Sequence, residues 1–207
     1  MKHLAILAAL SLTFLCGMLT PARAQDQKEI EFKITPALQA ELDSWKQTAI
    51  EWVADPTLVA AVQEANAAGP IEDMDKKAWT KLPENSRVVA SLTMNPVAKA
   101  LIAKMKETKG AVSEVFLNGD KGHKVAFAQK TSSYIHAGKS KFDVPFTTLK
   151  PWQGKPEADK STFTHQIQIS VPVLEPKNAD GTAQKPVGVL VLGINLSYLK
   201  EKVGEQK

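Results

Sequence analysis

Lysines, a histidine and several aromatic residues lie close together in residues 131–156 (TSSYIHAGKSKFDVPFTTLKPWQGKP). Lysine ammonium groups supply positive charge and hydrogen-bond donors, imidazole supplies another donor, and aromatic rings shape a pocket that has few polar groups. These residue types together indicate binding of a small anion such as a carboxylate. The candidate ligand-binding residues are Tyr134, His136, Lys139, Lys141, Phe142 and Trp152. The alternative is a solvated, lysine-rich loop with one or two aromatic rings packed into the core.

The remaining histidines give weaker evidence of a site. His165 shares the apolar face of a strand with Ile167 and Ile169, so it is either a core residue or a seventh ligand-binding residue. A metal site formed by His123, His136 and His165 is not expected, because the histidines lack a ligand spacing such as H-x-x-x-H. No cofactor is predicted.

Sequence motifs of the common enzyme classes are missing. No serine lies in a G-x-S-x-G turn, and the sequence contains neither a phosphate-binding loop nor a dinucleotide-binding fingerprint. The acidic residues at 72, 73 and 75, and those at 157 and 159, stand in helix-start or loop contexts that favour simple solvation. We therefore do not expect an enzyme.

Positive charge is concentrated around the same stretch. Residues 119–160 contain eight lysines against four acidic residues, whereas the rest of the chain after residue 24 carries a small net negative charge. A nucleic-acid-binding protein typically shows a longer basic stripe that includes arginine, and Arg87 is the only arginine after residue 24. Nucleic acid is therefore not an expected partner.

The first residues have the pattern of a secretory signal peptide. Lys2 precedes an apolar run over residues 4–19, and the sequence PARA follows at residues 21–24. The apolar run is shorter than the roughly 20 residues of a membrane span. We expect residues 1–24 to be removed, which would also remove Cys16, the only cysteine. Lipidation at Cys16 and an uncleaved anchor are the alternatives.

Residues 34–109 are predicted to be mainly helical. Leu38, Leu42, Trp45, Ala49 and Trp52 recur at alternating steps of four and three, which places them on one stripe of a helix over residues 35–54. Pro-containing start signals predict further helices from residue 56, as a second helix or a kinked continuation, and from residue 96 to Gly110. A short helix is predicted over residues 72–82.

Residues 110–196 are predicted to be mainly strands. Residues 111–117 and 124–129 form a hairpin around the turn NGDKG, residues 161–173 alternate strictly between apolar and polar, and residues 187–194 are almost wholly apolar. The last of these is predicted to be a central strand. The predicted fold is therefore α+β, with antiparallel pairing and a long basic loop between the second and third strands.

This order of elements, together with short sequence matches, resembles the PAS-like single-Cache (PDC sensor) domains of the Cache superfamily. The matches are DPTLVAAVQEAN at residues 55–66, Asp75 with Trp79, Asn95–Pro96, EVFLN at 114–118, Gly122, Val125–Ala126, KTSSY at 130–134, Ser161, QISVPV at 168–173 and residues 187–193. The resemblance covers nearly all of residues 25–207, which we expect to form one domain.

The resemblance implies a five-stranded antiparallel sheet with a long N-terminal helix on one face and a small-ligand pocket on the other. It also implies that the segment between the second and third strands roofs this pocket. Relatives tend to be acidic after the Thr-Ser-x-Tyr element, whereas this chain continues with the basic sequence IHAGKSK at residues 135–141. Relatives are commonly the sensory parts of kinases, chemoreceptors or cyclases, and we expect this chain to act without an output domain of its own.

From these observations we expect a periplasmic, small-molecule-binding sensor domain that takes an anionic metabolite and passes its state to a membrane sensor partner. The alternative is an interaction or structural protein with a vestigial pocket. In either case the helix over residues 35–54 is a candidate surface for homodimer formation or partner docking, because a seam with Trp45 and Trp52 one heptad apart can pair with a second copy.

Overall fold

The computed structural model of the protein describes residues 32–159, 164–176 and 184–204. The predicted signal peptide, residues 1–24, lies outside the described residues. Among the residues that are described, no helix has both the length and the apolar character needed to cross a membrane.

Five helices precede the first strand, and side-chain caps set where each of them begins. They are α1 (Pro36–Val53), α2 (Pro56–Ala68), α3 (Lys76–Lys81), α4 (Arg87–Thr93) and α5 (Pro96–Glu107). Their N-cap residues Thr35, Asp55, Asp75, Ser86 and Asn95 each accept a hydrogen bond from a backbone N–H of the first turn. The sequence patterns predicted α1, α2, α3 and α5, and missed α4.

The described strands form one antiparallel sheet. They are β1 (Val112–Gly119), β2 (Lys124–Phe127), β3 (Trp152–Gln153), β4 (Glu157–Asp159), β5 (Thr164–Leu174) and β6 (Pro186–Asn195). The order is β2-β1-β6-β5-β3, and β4 also pairs with β5. The predicted α+β fold, the β1–β2 hairpin and the central position of β6 are confirmed; β4 is an additional strand.

Each face of the sheet carries its own apolar cluster. One face packs against α1, α2 and α5 through residues such as Leu38, Val62, Leu101, Ile169 and Leu192. Both tryptophans of the α1 stripe belong to this cluster, Trp52 buried and Trp45 partly buried. The long N-terminal helix is therefore packed on one face of the sheet, as expected.

The opposite face is covered by α3, α4 and residues 131–149, which we call the covering segment. Its cluster contains Trp79 and Val89 from the helices, Phe116, Phe127, Val189 and Val191 from the sheet, and Tyr134 and Phe142 from the covering segment. The chain ends, within the described residues, in α7 (Leu196–Lys202), which lies on the α1 side.

The prediction of a long loop between the second and third strands is wrong. The structure forms α6 (Ser140–Thr148) and the short strand β3 there. The sequence signal for α6 was weak because Pro145 lies inside the helix and Lys139, its N-cap residue, makes no side-chain capping bond. Instead the backbone N–H of Gly138 donates to the Asp143 carboxylate at 3.0 Å, which ties down the start of the helix.

Candidate ligand-binding site

The covering segment and the sheet enclose a group of charged and polar side chains. Paired residues on neighbouring antiparallel strands share a face. Asn118 pairs with Lys124, Phe116 with Val191, and Val191 with Ser170, so all five lie on the face beneath the covering segment. Packing of α6 against β5 and β6 brings Lys141, and Lys139 just before the helix, to the same face.

Lys124 is the most unusual member of this group. Its side chain is 1% exposed, and its ammonium nitrogen has no hydrogen-bond partner among the protein groups that the structure describes. The nitrogen lies 3.1 Å from the centre of the Phe116 ring. Aromatic faces attract cations, but a ring does not replace the hydrogen bonds that an ammonium group loses on leaving water.

The electrostatic environment of Lys124 disfavours its charged form. Burial lowers the pKa of this ammonium well below its ordinary value; the Glu114 carboxylate opposes that shift, while the positive charges of Lys141 and Lys139 add to it. These three lysines form what we call the lysine cluster.

Two members of the lysine cluster have polar partners. The Lys139 ammonium donates to the Ser133 hydroxyl at 2.7 Å. Burial lowers the pKa of Lys139, and the charges of Lys141 and Lys76 lower it further. Lys141 donates to the Gln168 side-chain oxygen, and its side chain is only partly exposed.

A chain of hydrogen bonds joins α6 to strands β5 and β1 on the covered face of the sheet. Gln168 accepts from Lys141 through its oxygen and donates through its nitrogen to the Glu114 carboxylate at 2.7 Å. Glu114 is therefore held by an amide rather than by a direct ion pair with a lysine. The lysine cluster keeps an excess of positive charge over this one carboxylate.

His136 lies against the sheet next to the lysine cluster. Its ring is tilted by 35° over Phe116, with 4.9 Å between the ring centres, and its backbone N–H donates to the Gly122 carbonyl at 2.7 Å. Burial lowers the pKa of His136 to about 2, and the charges of Lys124, Lys139 and Lys141 contribute. At neutral pH the imidazole is therefore uncharged, with a buried Nδ1 that has no partner among the described protein groups.

Two further polar side chains on this face are buried without described partners. Both amide atoms of Asn118 and the hydroxyl oxygen of Ser170 belong to this set. Buried polar groups in native proteins are nearly always hydrogen-bonded. Several unsatisfied groups beneath one covering segment therefore favour a site that a polar molecule completes.

The aromatic candidates pack on the covered face and at its edge. Tyr134 is buried, its ring centre lies 5.4 Å from that of Trp79, and its hydroxyl oxygen accepts from the backbone N–H of Ile71 at 3.0 Å. Phe142 stacks on Phe146 with 5.1 Å between ring centres. Trp152 is partly buried on β3, paired with Ser170 at the edge of this face.

His165 lies apart from the other candidates. It belongs to the alternation of Ile167 and Ile169, whose side chains pack on the α1 side of the sheet. Its ring contacts Phe32, with 5.1 Å between ring centres. The structure therefore brings six of the seven predicted residues to the covered face and places His165 on the other.

Sequence reasoning missed the strand residues of the site. Lys124, Glu114 and Gln168 lie in predicted strands, and Glu114 and Gln168 also fall within the matches to the Cache domains. Glu114 carries a signal, because it is the one charged residue in the strand sequence VSEVFL. Lys124 gave none, since a lysine at the start of a hairpin strand is ordinarily solvated.

An apolar groove lies elsewhere on the molecule. Its volume is about 770 Å³, and its walls come from the α1–α2 junction, the residues after α6 and the end of β5. None of the lysine cluster lines it. In the part of the chain that the structure describes, no group of three histidine, cysteine or acidic side chains could hold a metal ion.

No protein-family model matches the sequence, and no curated protein matches it. Several solved structures show a distant similarity to this chain. The sensory domain of the Campylobacter jejuni chemoreceptor Tlp3 has a TM-score of 0.42 and 15% identity, over 82% of this chain and 68% of that one. The sensor domain of the V. cholerae histidine kinase DctB has a TM-score of 0.37 and 15% identity, over 82% and 60% of the two chains.

A third similar structure is the ligand-binding domain of the Pseudomonas aeruginosa chemoreceptor PctC in complex with GABA, with a TM-score of 0.35 and 14% identity over 79% and 62% of the two chains. All three are described as sensory or ligand-binding domains. Similarity at this level gives no ligand for the present chain.

Proposed function

We propose that the protein is a sensor domain that binds a small anionic metabolite, such as a carboxylate, between the sheet and the covering segment. The observation that carries this proposal is Lys124. An ammonium group that is 1% exposed and lacks a protein partner is costly unless an anion joins it or it gives up its proton. Lys139 and Lys141 add to the local positive charge and favour the same kind of ligand.

The proposal also includes a cellular location and a partner for the domain. We place it in the periplasm after removal of residues 1–24, and we assign it a membrane sensor partner that reads its ligand state. A ligand bound under the covering segment would favour the conformations in which that segment is closed, and a partner could read this shift in population.

The alternative is an interaction protein with a vestigial pocket, using α1 to form a homodimer or to dock a partner. The apolar stripe of α1 is engaged within the chain, because Leu38, Leu42, Ala49 and Trp52 are buried. An α1-mediated homodimer stays a prediction, and it would have to use the more exposed side of that helix.

A thermal-shift screen with simple monocarboxylates and dicarboxylates tests the proposal. A ligand present at 100 times its Kd stabilises a protein by about 2.7 kcal/mol, which corresponds to roughly 5–10 °C for a chain of this length. We expect at least one carboxylate to produce such a shift in the wild type.

Matched lysine variants locate the site in the same screen. Lys141→Gln should lose most of the shift, because it removes one charge of the lysine cluster. Lys150→Gln should keep it, because Lys150 is an exposed lysine just after α6. The proposal fails if no anion stabilises the wild type, and the placement of the site fails if the two variants respond alike.

A further inference from the structure

We infer that Lys124 forms a reversible imine with a ligand that carries a carbonyl group next to a carboxylate, that is, a 2-oxo acid. This inference rests on the proposed anion site and specifies its ligand class. It starts from three features of the structure: a buried amine, two further lysines whose charges act on it, and an aromatic ring against its nitrogen.

The amine of Lys124 has the environment of an imine-forming lysine. Burial against Phe116 and the neighbouring positive charges favour the neutral form, and the neutral amine is the nucleophile. No protein acceptor among the described residues engages the nitrogen, so no direct ion pair with Glu114 holds it in the protonated form.

Lys139 and Lys141 supply positively charged hydrogen-bond donors for the carboxylate of such a ligand. Both keep donors near Lys124 through flexible side chains that are anchored only to neutral groups, Ser133 and Gln168. A carboxylate competes well for these ammonium groups because hydrogen bonds between charged partners are the stronger ones. The charges of Lys139 and Lys141 both act on Lys124, so we expect a carboxylate held by these two lysines to bring its adjacent carbonyl group toward the third.

The reaction balances without any other reactant. The Lys124 nitrogen adds to the carbonyl carbon, and the carbonyl oxygen leaves as water with the two protons of the amine. The product is a neutral imine, C=N. Protonation of the imine nitrogen from solvent then restores a positive charge beside the bound carboxylate. Lys124 is only 1% exposed, so bulk water has limited access to the bond that forms and reverses it slowly.

Pyruvate and lactate are the matched probes for this inference. They have the same carboxylate and nearly the same size, but only pyruvate has a carbonyl at carbon 2. The full-length purified protein is incubated with each acid, reduced with sodium borohydride, and analysed by intact mass spectrometry and peptide mapping. We expect one reduced pyruvate adduct per chain, located on Lys124, and none with lactate.

Variants show whether the adduct depends on the site. Lys124→Met should abolish the adduct, and Lys139→Gln combined with Lys141→Gln should reduce its yield several-fold. Lys155→Gln should leave it unchanged, because Lys155 is exposed. Adducts spread over exposed lysines, with Lys124 no more modified than the others, would overturn the inference.

The outcomes separate this inference from the proposed function. If pyruvate and lactate both raise the melting temperature but Lys124 stays unmodified, the anion site stands and imine formation is wrong. If pyruvate modifies Lys124 and lactate does not, both stand. If neither these acids nor any other anion stabilises the protein and no adduct forms, both fail.

Discussion

At the scale of single residues, Lys124 is the feature that couples stability to binding. Placing an amine under the covering segment without a partner lowers the stability of the ligand-free protein, since its charged form has lost its water. Sites that await a ligand commonly carry such a cost, and substitutions that relieve it stabilise the fold while removing the function.

Lys124→Met is therefore expected to raise the free energy of unfolding of the ligand-free protein by about 1–3 kcal/mol, because a methionine fills similar space without a charge. Urea unfolding measures this difference.

Lys130→Met is the control, because the Lys130 ammonium donates to the Leu82 carbonyl at 2.8 Å and lies 5.3 Å from the centre of the Trp79 ring. That substitution should destabilise the protein by about 1–2 kcal/mol. Equal effects at the two positions would show that the buried Lys124 amine does not destabilise the ligand-free protein.

His136 should make the protein sensitive to acid. Its pKa is lowered to about 2 in the folded protein, so between pH 2 and its ordinary value of 6.5 the unfolded chain binds a proton that the folded chain does not. Stability is then lost as pH falls below 6.5, by up to about 1.4 kcal/mol per pH unit from this residue.

In His136→Phe this part of the pH dependence should disappear. Urea unfolding at pH 7.5 and pH 5.0 tests this: the wild type is expected to lose about 2 kcal/mol more than the variant over that interval. A variant that loses as much stability as the wild type would show that His136 takes up its proton without cost in the folded state.

At the scale of elements, the covering segment is attached to the β1–β2 turn by close backbone packing. The Gly122 carbonyl accepts from His136, and a Cβ atom on Gly122 would lie 2.3 Å from the Ala137 backbone nitrogen. This contact holds the start of the covering segment against the edge of the sheet.

Gly122→Ala and Gly138→Ala form a matched pair for testing this attachment. Both glycines have a positive φ, 73° and 86°, so each alanine costs about 1 kcal/mol in backbone strain. Only Gly122 is also in close contact, since a Cβ atom on Gly138 meets nothing within 4 Å. We expect Gly122→Ala to cost at least about 1 kcal/mol more in urea unfolding and to weaken anion binding. Equal costs would mean that the turn does not hold the covering segment.

At the scale of the whole molecule, binding of an anion should be linked to proton uptake. The pKa of Lys124 is lowered in the ligand-free protein by burial and by its neighbouring lysines. An anion beside the amine favours the ammonium form and raises that pKa. Wherever the amine is partly neutral, binding of a carboxylate that lacks a carbonyl group therefore takes a proton from the buffer, and affinity falls as pH rises.

Isothermal titration calorimetry of such a carboxylate, in buffers that differ in ionisation enthalpy, measures this uptake. We expect the observed enthalpy to depend on the buffer, with up to one proton bound per ligand, and this dependence to be lost in any residual binding by Lys124→Met. An enthalpy that is independent of the buffer from pH 7 to pH 10 would contradict the link between Lys124 and the ligand.

The sequence by itself determined the α+β class, the stripe of α1, the β1–β2 hairpin and the central position of β6. Each of these follows from local patterns of apolar periodicity, prolines and capping residues. It also drew attention to the basic stretch that contains six of the residues on the covered face.

Only the tertiary structure decided what these residues meet. Lys124, Glu114 and Gln168 come from three different strands, and pairing across the sheet brings them to the one face that the covering segment lies on. The tertiary structure also placed His165 on the α1 side of the sheet, opposite the face that carries the other candidates. The physical reason is that burial and charge proximity depend on which strands pair and which helix covers them, and neither is encoded within a short window of sequence.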